Sequence, residues 1–112
     1  MTDSVEALAR EIERQLRRCQ SLVRAESAAD LQEARWSYSR GKLRWRVFFA
    51  EEVLEPDVDV ELERTVCIVR ARSSRDPSRV LICLLPVPES FDASLADIRF
   101  SSDTLEIRLG RS

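Results

Sequence analysis

At 112 residues the chain can build one hydrophobic core with an appendage, and not two, because the buried fraction falls quickly as domains shrink. Hydrophobic residues make up 44% and charged residues 34%, which excludes a disordered chain of low hydrophobicity; no run approaches the roughly 18 apolar residues that cross a bilayer, and MTDSVEALARE lacks the basic-then-apolar order of a leader. The net charge of −2 hides an asymmetry: ten basic and seven acidic residues in 1–49, eight basic and thirteen acidic in 50–112, two halves that attract. Three cysteines, Cys19, Cys67 and Cys83, sit among apolar neighbours with no C-x-x-C pair. They read as reduced and buried, and the chain as cytoplasmic.

The N-terminal stretch from Asp3 to about Ala34 is expected to be helical, with Asp3 and Glu6 at capping-box spacing. Val5, Leu8, Ile12, Leu16, Cys19 and Val23 recur at steps of three or four and form one apolar stripe, with Arg and Glu opposite. Large apolar residues are missing around Ser27–Asp30, where the helix can break and resume through Leu31 and Ala34. The period then changes. Trp36 and Tyr38 alternate with small polar residues, Arg40-Gly41 can turn, and Leu43, Trp45, Val47 and Phe49 alternate with Arg44 and Arg46 as a strand does. This divides the chain into a helical segment, 1–35, and a β domain, 36–112.

After Pro56, Val58, Val60 and Leu62 alternate with Asp57, Asp59, Glu61 and Glu63, the pattern of a strand with one buried and one wet face. VCIVRAR (66–72) is β-branched, SSRDPS (73–78) supplies a turn, and VLICLL (80–85) is unbroken apolar. Pro86 and Pro88 end that run, a loop is expected over 88–96, and Ile98–Phe100, a turn at Ser101–Asp103 and Thr104–Leu109 close the chain. Six or seven short strands at this spacing imply a sandwich.

Residues 43–109 resemble the alpha-crystallin domain of small heat-shock proteins. Pro56-Asp57-Val58-Asp59-Val60-Glu61-Leu62-Glu63 is similar to the family's acidic, alternating strand, and Cys67-Ile68-Val69-Arg70-Ala71-Arg72 to its Leu-x-Ile-x-Gly-x-Arg strand. Leu85-Pro86 and Ile98-Arg99-Phe100-Ser101-Ser102-Asp103-Thr104-Leu105-Glu106-Ile107 resemble its Leu-Pro and its C-terminal strand pair. The resemblance implies an immunoglobulin-like antiparallel β-sandwich, shared with the CS domains of co-chaperones, behind an N-terminal helix, and an ATP-independent chaperone or assembly factor. Four departures are visible. The chain ends at Leu109-Gly110-Arg111-Ser112 without the family's Ile-x-Ile/Val peptide, which argues against large cages, and 73–78 is too short for an exchanged strand. Asp103 replaces a turn glycine, and the family's basic residue before Leu-Pro falls on Leu81.

Leu81 makes the strand over 80–85 apolar on both faces, so something must cover the second one: the N-terminal helix, another subunit or a client protein. Leu8, Ile12, Leu16 and Val23 on the helix and Leu81 and Cys83 on the strand are the expected partner-binding residues, for a client, a small homo-oligomer or a larger complex in which the chain is a structural subunit. With no His, nucleophile–His systems cannot be built, and three scattered cysteines are poor zinc ligands. Gly41 and Gly110 are the only glycines, too few for a phosphate loop. No catalytic residue, metal or cofactor is therefore expected. Trp36, Tyr38 and Trp45 interleave with Arg35, Arg40, Lys42, Arg44 and Arg46 as in single-strand nucleic-acid binders, but alternation places Trp45 in the core and the whole chain is acidic, so nucleic acid is not the expected partner.

Overall fold

The apolar positions three or four apart at the N-terminus become one face of helix α1 (Asp3–Glu26) in the computed structural model of the protein. The structure describes residues 3–26, 30–101 and 104–111, without the side chains of residues 3, 4, 20–31 and 95. The Asp3 cap, the side chain of Val23 and the turn residues Ser102 and Asp103 lie outside the described residues. Eight strands follow: β1 (Asp30–Leu31), β2 (Glu33–Ser39), β3 (Lys42–Phe48), β4 (Val58–Leu62), β5 (Val66–Arg72), β6 (Val80–Pro86), β7 (Phe91–Ser101) and β8 (Thr104–Arg111). They form two four-stranded sheets, ordered β1-β6-β5-β4 and β2-β3-β8-β7. Every pairing is antiparallel except the short parallel contact of β1 with β6.

Alternation decides the core. Leu43, Trp45 and Val47 on β3 stand in register with Leu109, Ile107 and Leu105 on β8, and all six are buried. Cys67, Val69 and Ala71 on β5 and Leu81, Cys83 and Leu85 on β6 are the buried set of the other sheet. The Trp45 indole N–H donates to the Pro86 carbonyl at 3.2 Å, so the largest core side chain is also satisfied as a donor. The β2–β3 hairpin turns through Arg40 (φ 52°) and Gly41 (φ 77°), the double left-handed geometry that fits the twist of a two-residue hairpin.

Three local expectations are corrected. Leu31 and Ala34 do not resume the helix; they belong to β1 and β2, because the period-2 series Ala34, Trp36, Tyr38 begins there and Gln32 anchors the crossing between sheets. The Gln32 amide donates to the Ile82 carbonyl at 2.8 Å, and its side-chain Oε1 accepts from the Ala50 N–H at 2.6 Å. The stretch over 88–96 is a loop only to Ser90, since Phe91 is buried and pairs with Arg111. A register shift between Asp92 and Asp97 absorbs the irregular residues, and the Asp92 carboxylate accepts from the Ser94 N–H at 2.9 Å and hydroxyl at 2.7 Å. On β4, Val58 and Val60 are only half-buried and Leu62 is exposed, because β4 is an edge strand with a partner on one side.

Helix α1 packs chiefly on β6, and Leu8 and Ile12 join the same buried cluster as the two sheets. Ile12 is wholly buried, whereas Val5 is 46% exposed. Ile12→Ala is expected to lower unfolding stability by about 2–5 kcal/mol and Val5→Ala by less than about 0.5 kcal/mol, measured by urea denaturation followed by circular dichroism. Equal effects at the two positions would mean that the helix is not seated on the sheet.

Candidate interaction surface

The residues expected to meet a partner are placed against the chain itself. Leu8, Ile12, Leu81 and Cys83 are buried, with Ile12 and Leu81 at 0% exposure, and Leu16 is half-buried on the same cluster. In this folded form the first four offer no surface to another molecule, because the helix stripe and the Leu81–Cys83–Leu85 face of β6 belong to one core. The alternate face of β6 is the more open one. Ile82 and Leu84 are half-buried and Val80 is exposed; Ile68 on β5 stands opposite Leu84, and Val66 opposite Pro86. Sequence reading recognised β6 as apolar on both faces, but alternation alone does not say which face the helix takes.

A cleft of about 900 Å3 lies where the helix meets one end of the sandwich. Leu62, Val87 and Phe91 supply apolar walls, and Glu11, Glu63 and Glu89 an acidic rim. The Glu89 N–H donates to the Glu11 carboxylate at 3.3 Å, a polar link from the helix to the β6–β7 connection. Gln15 Oε1 is buried in the same region without a hydrogen-bond partner. No signal in the sequence singles out this cleft, since its walls come from three separated segments.

Among the described residues no group of three or more His, Cys, Asp or Glu is arranged to hold a metal ion. Trp45 is buried, and Tyr38 is half-buried with its ring edge-on to Phe91 at 6.0 Å and the Arg111 guanidinium 5.3 Å over it. These rings serve the fold and do not form an exposed stacking platform. No described helix is long and apolar enough to cross a membrane.

The cysteines mark how dry the core is. Burial pushes the thiols of Cys67 and Cys83 up to about 12, with the neighbouring Cys67 and Cys19 adding to the effect at Cys83. Cys19 on the helix is also raised by burial, and Arg18 partly opposes this. A thiol that ionises near 9 when unfolded and near 12 when folded stabilises the protein fully below pH 9, and this contribution is lost as pH climbs toward 12. Unfolding free energy is expected to fall by about 1 kcal/mol per thiol per pH unit above pH 9. In Cys67→Ala the slope, measured by denaturant titration, should be shallower; an unchanged slope would show that Cys67 is not dry.

No protein-family model matches the sequence, and no curated protein matches it. Solved structures similar in fold include two from small heat-shock proteins. Heat shock protein 16.0 from Schizosaccharomyces pombe aligns at 14% identity with a TM-score of 0.63, over 76% of this chain and 69% of that one. The Del-C4 mutant of hsp14.1 from Sulfolobus solfatataricus P2 aligns at 12% identity with a TM-score of 0.55, over 73% of this chain and 76% of that one. At such identities the likeness is one of architecture, and the architecture is the alpha-crystallin-type β-sandwich of the small heat-shock proteins.

Proposed function

We propose that this chain is a non-enzymatic, ATP-independent chaperone of the small heat-shock type, in which helix α1 is a movable cover over apolar surface that other proteins' apolar segments can occupy. The observation that carries this reading is the way the helix is held. Leu8 and Ile12 enter the core from a separate element, joined to the sandwich by apolar contact and by the Glu11–Glu89 link at the cleft. Burying two such side chains contributes about 3–6 kcal/mol before the entropy of ordering the helix is subtracted. Opening of the helix is therefore expected at lower free energy than unfolding of the sandwich. Apolar contact is not directional, so an extended or helical client segment of similar bulk can take the same seat.

In that open form Leu81 and Cys83 on β6 are the client-contacting residues, and Leu8, Ile12 and Leu16 on the helix are the side chains that a client segment displaces. Free cysteines, Cys67 and Cys83 buried and Cys19 half-buried, fit a cytoplasmic location. A second reading, a dedicated interaction subunit of a small oligomer or larger complex, is favoured by the β5–β6 connection. There the Ser73 hydroxyl accepts from the N–H groups of Arg75 and Asp76 at 3.2 and 3.3 Å, and the Asp76 carboxylate accepts from the Ser78 N–H and hydroxyl. This tight turn has no strand to lend to a second copy.

Light scattering of a heated model client tests the proposal. Stoichiometric protein without nucleotide is expected to suppress aggregation, and the double variant Leu8→Ala/Ile12→Ala, which loosens the cover, should match that protection at several-fold lower concentration while its strand circular dichroism is retained. Protection by neither protein would leave the dedicated-subunit reading, and equal potency would show that the helix is not the cover.

A further inference from the structure

The outward face of the sheet β2-β3-β8-β7 carries a charge the rest of the molecule does not share. Ser37, Arg44 and Arg108 lie side by side across β2, β3 and β8, and Ser39, Lys42 and Gly110 form the next row. Arg40 in the hairpin turn completes a concavity of about 520 Å3 bounded by Ser37, Ser39, Arg40, Lys42, Arg44 and Arg108. Neighbouring strands are about 4.8 Å apart, so four cations are gathered within a span of a few strand spacings. They sit on a chain whose net charge is −2.

We propose that this concavity binds linked phosphate groups, an oligophosphate chain held by Arg40, Lys42, Arg44 and Arg108 with the hydroxyls of Ser37 and Ser39 as further donors. Three observations carry it. First, Arg44 and Arg108 are directly opposite one another, an arrangement that destabilises a sheet unless an anion answers it. Two carboxylates answer it in part: Glu106 lies 3.0 Å from Arg44 Nε, 3.5 Å from Arg46 Nε and 3.3 Å from Arg108 Nη2, one negative charge shared by three guanidinium groups, and Asp97, opposite Arg108 on β7, is paired with Arg99 at 3.2 Å.

Second, donors are left over. Arg108 Nε is buried without a hydrogen-bond partner, and Arg40 and Lys42 have no ion-pair partner among the described residues. Arg40 also holds the left-handed backbone of the turn, a position where a basic residue is not the one that backbone geometry favours. Third, the site is open and free of rings. Ser37, Ser39 and Gly110 contribute little bulk, and the outward aromatic of β3, Phe48, lies under Arg35 at the far end of the strand.

These features select among anions. Guanidinium forks and hydroxyls match tetrahedral phosphate oxygens, and four cations exceed what a single phosphate dianion neutralises. Without stacking surface the site can read a phosphate backbone but not a base.

Isothermal titration of the full chain with inorganic tripolyphosphate at low salt tests this. Saturable one-to-one binding that weakens as salt rises is expected, with at least a tenfold loss in the Arg40→Ser/Lys42→Ser double variant, whose circular dichroism should be unchanged because neither side chain is buried. A nucleoside triphosphate should bind no more than a few-fold differently, and oligo-glutamate at least tenfold more weakly. No saturable binding, an unaffected double variant, or oligo-glutamate binding as tightly as tripolyphosphate would overturn the proposal. So would a single-stranded oligonucleotide that binds when tripolyphosphate does not, or a nucleoside triphosphate that binds tenfold more tightly.

Discussion

Strand β6 is apolar on both faces, and the arrangement of the molecule turns on how those faces are covered. Leu81, Cys83 and Leu85 face the interior, where the opposite sheet and the helix stripe reach them. Val80, Ile82 and Leu84 occupy the other face and stay partly open. A strand of this kind cannot stand at a solvated edge, and it does not: β5 pairs with its full length, and β1 with its first part through Asp30 and Leu31. The chain between helix and sandwich is therefore not a passive linker. It threads from the helix to the β6 edge, and Gln32 fastens it there through its amide and carbonyl groups before β2 begins.

Charge is distributed so that it protects the remaining edges. The free edge of β4 presents Asp59 and Glu61, with Arg70 of β5 pairing Glu61 at 3.1 Å, which discourages edge-to-edge pairing of sheets. The outward face of the other sheet gathers Arg35, Lys42, Arg44, Arg46, Arg99 and Arg108 around few carboxylates. Such surface ion pairs add little stability, and their consequence is for what the molecule attracts.

The sandwich was legible because its strands keep a strict period of two. Leu43-Trp45-Val47 and Leu105-Ile107-Leu109 could be read as buried from alternation alone, and so could the helix from the steps Leu8, Ile12, Leu16. Where the period lapses, the reading lapsed with it. Asp92–Leu95 looks like a loop because a bulge breaks the alternation, while Phe91, the residue that fixes the strand, is a single apolar residue between polar ones. The segment over residues 30–34 was unreadable for another reason. Its hydrogen bonds run to Ile82 and Ala50, far along the chain, and nothing local records them. The candidate surface was half legible: the apolar residues were identified, but their mutual burial depends on the helix folding back, which no local pattern encodes.

The central claim is that helix α1 is a cover held on β6 by apolar contact and released separately from the sandwich. Hydrogen–deuterium exchange followed by mass spectrometry measures this directly, in the presence and absence of a heat-destabilised client. Residues 3–26 should exchange faster than β3 and β8 in the free protein, and faster still with client bound, while β3 and β8 stay protected. Protection of the helix equal to that of β3 and β8, unchanged by client, would contradict the account.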